Sequence, residues 1–193
     1  MKVNEIFYSI QGEGFYSGTP AIFIRFSGCN LRCPFCDTKH QDGKEMSVSD
    51  IIEEISVMKS KFVVLTGGEP TLQINEELIN ELHAHGYYIA VETNGTKELP
   101  CDVDWVTCSP KGDWVSQGEK VIGWHYDEVK VVFDGKNDVD RWLRIKSKHY
   151  FLQPCDVGDK DKNQEITQAA VYHCLDNPKW KLSLQTQKIL NVR

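Results

Sequence analysis

The sequence predicts an α/β fold built on a mainly parallel, curved sheet, and three observations carry that reading. Short β-rich runs alternate with helical patterns from residue 21 onward. At 193 residues the chain falls short of the roughly 250 that a full eight-unit α/β barrel takes, so any barrel here is abridged. Residues of unusual chemistry stand just past the ends of the runs, where ligands sit in parallel α/β sheets.

The strand runs are residues 21–27, 62–66, 87–92, 105–109, 128–133 and 150–153, with a shorter one at 181–184. Three of them, AIFIRF, FVVLT and EVKVVF, are rich in the β-branched and aromatic residues that fit a pleated, half-buried surface. Ser47 and Asp50 resemble a capping box, with Asp where Glu or Gln is usual, and Ile51, Ile52, Ile55 and Met58 follow at helical spacing. Asn75 can cap a second helix that buries Leu78, Ile79 and Leu82 and stops near Gly86. Weaker helical patterns cover residues 138–146 and 165–175, and the stretch 11–14 reads as a hairpin or turn. No repeat, low-complexity tract or linker interrupts the chain, which predicts a single domain over residues 1–193.

Composition removes several function classes. Lys and Arg total 22 against 28 Asp and Glu, a net charge of −6, whereas duplex-binding surfaces carry a basic excess. No apolar run approaches the roughly 20 residues that span a bilayer, and the N-terminus lacks a signal peptide's apolar core and cleavage site. The expected location is the cytoplasm. The expected partners therefore include neither nucleic acid nor membrane.

Seven cysteines are many for a reducing compartment, and an odd number cannot pair completely. Cys29, Cys33 and Cys36 form a C-x3-C-x2-C pattern directly after a strand run. Three thiolates on one loop can grip three corners of a four-iron, four-sulfur (4Fe–4S) cluster and leave the fourth iron open. The alternative is a structural zinc loop completed by His40 or a distant cysteine, although zinc knuckles usually pair two C-x2-C units and no second unit is present.

Other residues carry chemistry by type and place. Arg25 is a lone cation in AIFIRF; it needs an ion-pair partner or a solvated cavity, and its planar fork suits a substrate carboxylate. Thr66-Gly67-Gly68-Glu69-Pro70 begins at a strand end, where glycines permit close backbone approach. Glu92 and Asn94 close the next run in a Glu-Thr-Asn-Gly sequence that alone reads as a turn. Ser109-Pro110-Lys111 and Gln153-Pro154-Cys155-Asp156 follow two more.

The cysteine pattern followed by the Gly-Gly-Glu motif resembles the radical S-adenosylmethionine (SAM) superfamily. Within it, Phe7 to Gly14 (FYSIQGEG), Arg25, Cys36-Asp37-Thr38, Thr66 to Pro70, Glu92 to Gly95, Ser109 to Lys111 and Leu182 to Thr186 resemble the 7-carboxy-7-deazaguanine synthase family over essentially the whole chain. That resemblance implies an abridged radical SAM barrel and a cytosolic homodimer. It implies a carbon–nitrogen lyase that turns 6-carboxy-5,6,7,8-tetrahydropterin into 7-carboxy-7-deazaguanine with loss of ammonia, for queuosine and other 7-deazapurines. An electron from flavodoxin or ferredoxin would cleave SAM, and the resulting radical would take hydrogen from C6 of the pterin and later regain it.

The resemblance also assigns roles. Cys29, Cys33 and Cys36 hold the cluster, and SAM fills its open site. Gly67, Gly68, Glu69, Asn94, Ser109, Pro110, Lys111, Gln153, Pro154, Cys155 and Asp156 bind SAM, with Cys155 a packed thiol and not a further cluster ligand. Ile10, Gln11, Gly12, Glu13, Arg25, Thr66 and Arg193 contact substrate, Glu92 is catalytic, and Thr38 ligates Mg²⁺. At the C-terminal end, Gln187, Ile189 and Arg193 depart from the family's usual residues, which bears on local substrate contacts. A glycyl-radical activase shares the cysteine pattern, but FYSIQGEG and Cys-Asp-Thr speak against it.

Overall fold

The computed structural model describes residues 1–118, 120–123 and 125–193. Among them nine strands form one sheet in the order β3-β1-β2-β4-β5-β6-β7-β8-β9. The strands are β1 (Lys2–Ile10), β2 (Pro20–Phe26), β3 (Lys44–Glu45), β4 (Phe62–Gly67), β5 (Tyr88–Thr93), β6 (Trp105–Cys108), β7 (Tyr126–Phe133), β8 (Ser147–Pro154) and β9 (Lys181–Leu182). From β2 through β9 every neighbouring pair is parallel, while β1 and β3 add antiparallel at one edge. The sheet ends at β3 and β9 without closing, the mainly parallel open arrangement that the alternating pattern predicts.

Two helices start where their caps predict. In α1 (Val48–Ser56) the Ser47 side chain accepts from the Asp50 amide while Asp50 accepts from the Ser47 amide, so Asp completes the capping box. In α2 (Glu76–Ala84) the Asn75 side chain accepts from the Leu78 amide, and Gly86 at φ +73° follows the helix end. The weaker patterns fare less well. Residues 138–146 hold only a 3-10 turn, Asp140–Arg144, and α3 runs longer than predicted, Lys160–Asp176. Its first two turns are exposed and charged, capped by Asp159, so no apolar period marks them. Strand β1 and the five-residue α4 (Thr186–Leu190) have no counterpart in the sequence reading: a bulge between Val3 and Glu5 breaks the alternation of β1, and α4 buries no residue.

Strand alternation sorts the interior into two faces. One face packs Ile22, Ile24, Val63, Leu65, Ile89, Val91, Val129, Val131 and Leu152 against the apolar sides of α1, α2 and α3. The other packs Phe7, Phe23, Phe62, Val64, Ala90 and Trp105, with Phe15 and His149 stacked on the Trp105 ring. Three tryptophans, Trp105, Trp142 and Trp180, are buried as packing residues; Trp124 lies outside the described residues. No helix among the described residues is long and apolar enough to cross a membrane.

Trp142 is fully buried, and its indole N–H donates to Asp113 Oδ2 at 2.7 Å. Trp142→Ala is expected to cost about 3–5 kcal/mol and Asn75→Ala about 1 kcal/mol in urea unfolding of the purified protein. Equal midpoint shifts for the two would contradict this placement of the core.

Candidate active site

Parallel strands put all their carboxyl ends on one rim, and a cavity of about 450 Å³ opens there. Of the residues to which the family resemblance assigns site roles, all but Glu69 and Pro110 line it, and the expectation that these two touch a ligand directly is corrected. The wall takes residues 10–13 from the β1–β2 connection, Arg25 from β2, and Cys29, Cys33, Cys36 and Thr38 from the loop after β2. It continues through Thr66, Gly67 and Gly68, then Glu92 and Asn94, Ser109 and Lys111, and residues 153–156, with Arg193 at the mouth.

The cysteine loop is fastened to the two turns beside it. Gly68 N–H donates to Phe26 O and Glu69 N–H to Gly28 O, so the Gly-Gly turn lies directly on the loop's first residues. A Cβ on Gly67 would strike the Phe26 backbone and one on Gly68 the Gly28 carbonyl, which is why two glycines stand there. Asn94 Nδ2 donates to Asn30 Oδ1 at 3.0 Å, tying the end of β5 to the residue after Cys29.

Glu69 serves this framework from behind the wall. It is 1% exposed, and its carboxylate accepts from the Thr71 amide and hydroxyl, the Thr93 hydroxyl and the Asn94 amide. The expectation that Glu69 faces a ligand is therefore corrected: its oxygens point inward and are occupied. The amides of Gly68 and Glu69 are spent on the cysteine loop, and the acceptors this turn presents to the cavity are backbone carbonyls and the Thr66 hydroxyl.

The thiols of Cys29 and Cys33 are half-buried and that of Cys36 is exposed, and all three are free. Burial pushes the Cys29 and Cys33 thiols up, partly offset at both by the Lys111 cation. Among the described residues no three His, Cys, Asp or Glu side chains converge as a single metal ion requires, and His40 does not line the cavity. A zinc ion needs such convergence. Three thiols spread along one loop fit separate corners of an iron–sulfur body, whose ligands are cysteine thiolates.

Lys111 is half-buried beside Cys33 and donates to Ser109 Oγ; desolvation pulls its pKa down. Across the cavity Arg25 pairs with Glu5 at 3.2 Å and lies over the Phe7 ring. Arg193 pairs with the same Glu5 carboxylate, so two guanidiniums share one acid. The ion-pair partner and the solvated cavity foreseen as alternatives for Arg25 are thus both present. Thr38 donates to Asp37 Oδ1 at 3.4 Å, leaving a hydroxyl and a carboxylate side by side on the wall.

Lys130, on β7, escaped the sequence reading. Its ammonium lies 3.0 Å from Glu13 Oε2 and 2.9 Å from Glu92 Oε2. The signal was available, since a lone lysine in EVKVVF poses the same question as the lone arginine in AIFIRF. The contacts of the C-terminal strap are likewise absent from any local pattern in the sequence. Gln185 and Gln187 donate to Glu13 Oε1, the Thr186 amide donates to Gly12 O, and Lys188 binds Asp156 and Asp37. Lys188, with the Gly158 amide and Asn163, holds the Asp156 carboxyl at about 2.

Glu69→Gln would set an amide N–H₂ against donors that need acceptors. It is expected to destabilise the cluster-free protein, where no cofactor contributes, by about 1–3 kcal/mol in urea unfolding. Unchanged stability together with lost SAM binding would contradict the inward placement of this side chain.

Comparison with known proteins agrees with this geometry. Residues 23–109 match the radical SAM superfamily. A 7-carboxy-7-deazaguanine synthase of Bacteroides thetaiotaomicron is 50% identical over 192 residues, covering 100% of this chain and 98% of the relative. One of Haemophilus influenzae is 40% identical, covering 99% and 93%. The crystal structure of QueE from Escherichia coli superposes with a TM-score of 0.74 at 30% identity, over 96% of this chain and 93% of that one. Full-length identity at this level, with the cysteine loop, the Gly-Gly turn and the strand-end residues facing one cavity, makes the chain a member of the 7-carboxy-7-deazaguanine synthase family of radical SAM enzymes.

Proposed function

We propose that the chain is a carbon–nitrogen lyase that converts 6-carboxy-5,6,7,8-tetrahydropterin to 7-carboxy-7-deazaguanine, releasing ammonia. The observation that carries this reading is the meeting, in one cavity, of a three-thiol loop with a guanidinium on one side and two carboxylates on the other. Cys29, Cys33 and Cys36 would hold a 4Fe–4S cluster. With SAM bound, that cluster would supply one-electron radical chemistry to the substrate.

The chain's own residues bind, orient and shield. Gly67 and Gly68 would bind SAM's ammonium through their carbonyls, with Glu69 and Asn94 fixing the turn from behind and beside it. Ser109 and Lys111 on one side, and Gln153, Pro154, Cys155 and Asp156 on the other, would flank SAM's ribose and adenine, with Pro110 buried off the cavity wall between Ser109 and Lys111. Arg25 and Arg193 present planar forks to the substrate carboxylate, which suits bidentate recognition. Ile10, Gln11 and Gly12 supply main-chain partners, Thr66 bounds the pocket, and Glu13 and Glu92 accept from the substrate's N–H edge, where unpaired groups are costly. Thr38 would ligate Mg²⁺, an ion that prefers oxygen and keeps several waters. The strap at residues 185–193 excludes solvent.

The resemblance further supports a flavodoxin or ferredoxin as reductant, a homodimer, a cytoplasmic location, and one core domain over residues 1–193 with an N-terminal substrate-binding segment.

Anaerobically reconstituted protein given reductant, SAM and carboxytetrahydropterin is expected to form the deazaguanine chromophore, and Cys33→Ala is expected to abolish both SAM cleavage and product. Cluster-loaded enzyme that cleaves SAM yet forms no deazaguanine would overturn the substrate assignment. Cleavage surviving Cys33→Ala would overturn the ligand assignment.

A further inference from the structure

Lys130 stands in a strand otherwise made for burial. It is 5% exposed, flanked by Val129 and Val131, and its ammonium bridges carboxylates from two separate elements, Glu13 of the β1–β2 connection and Glu92 of β5. A buried cation with both partners at hydrogen-bond distance is stable, but removal of the cation leaves two anions facing one cavity. We propose that Lys130 is a positioning residue that keeps Glu13 and Glu92 both charged and turned toward the same ligand edge. Ionised carboxylates only accept hydrogen bonds. A site so charged therefore selects a ligand presenting N–H donors and discriminates against one presenting carbonyls at that edge.

The surroundings agree. Gln185 and Gln187 occupy Glu13 Oε1, whereas Glu92 Oε1 receives only Gln11 Nε2 at 3.4 Å, so Glu92 retains the freer acceptor capacity. Burial works against the Glu13 carboxylate, but Lys130 and the two amides outweigh it and hold the group at about 2. Burial likewise works against the Lys130 cation, and Glu92 and Glu13 outweigh it, raising its pKa. Other charged or titratable groups face this cluster as well. Glu128 on the same strand is pushed up to about 7 by burial despite Lys130, and one of its oxygens has no hydrogen-bond partner. Lys111 and Arg25 stand across the cavity, and His149 lies opposite Glu128 on β8. Without Lys130, like charges push one carboxyl pKa upward. Glu128 takes a proton first, and Glu92, lacking the paired amides of Glu13, follows. Recognition is then present above the raised pKa and lost as pH falls through it.

The ligand-edge part of this proposal rests on the pterin reading above, and the charge part does not, so two measurements separate them. In the first, the reconstituted protein is titrated with fluorescent 6-carboxypterin between pH 7.5 and 5.5. Wild type and Lys130→Arg should follow one profile, while Lys130→Met should lose about tenfold more affinity over that range. A Lys130→Met profile parallel to wild type, or Lys130→Arg behaving like Met, would contradict the proposal. No binding by wild type would count against the pterin reading alone. In the second, infrared spectra without ligand, recorded in a Glu128→Gln background so that Glu128 gives no signal, should show a protonated-carboxyl stretch in Lys130→Met that disappears when Glu92→Gln is added. Its absence would overturn the charge part. If Lys130→Met fails to fold, recovery of folded protein by the added Glu92→Gln supports the account, and failure to recover contradicts it.

Discussion

Parallel strand direction is the constraint on which the rest of the molecule depends. Because β2 and β4 through β9 run the same way, each βα connection leaves the sheet at the same rim, and side chains far apart in sequence come together without any local signal. Alternation then decides what faces the cavity. Along the inward face, aromatic and apolar residues low in the strands give way to Arg25, Thr66, Glu92, Lys130 and Gln153 near the rim. The same strands thus supply both a dry floor and a charged opening.

The cysteine loop is the part of the rim least able to hold itself. It has no regular structure of its own, and burial disfavours the thiolate form at two of its three sulfurs. Its position comes from neighbours: the Gly-Gly turn laid on its first residues, the Asn30–Asn94 contact, and Glu69 binding that turn to β5. The substrate side is held differently, by charge. Glu13, Lys130 and Glu92 join three elements through one ammonium, and the C-terminal strap adds two amides to the same carboxylate.

The features legible in the sequence were those with a local period or a local cap. Six strand runs, two capped helices and the cysteine spacing could be read because each is written in consecutive residues. What escaped has a physical reason in each case. The bulge in β1 destroys the alternation that would have marked it. The first turns of α3 bury nothing, so hydrophobicity cannot report them. Glu69 sits in a motif that draws the eye toward ligands, yet its donors come from β5 and from the turn it caps, and only the fold brings β5 to it. Lys130 was readable as a buried cation, but its two acids lie 117 and 38 residues away along the chain, beyond any spacing rule.

Cys29, Cys33 and Cys36 would grip three corners of a 4Fe–4S cluster through sulfur alone, leaving the remaining iron to be chelated by the amino acid end of SAM. Mössbauer spectroscopy of the anaerobically reconstituted, iron-57-labelled protein, recorded with and without SAM, addresses this most directly. The prediction is a 4Fe–4S signal in which one iron alone changes character when SAM is added. Four irons indifferent to SAM, or zinc bound in place of iron and sulfide, would contradict it.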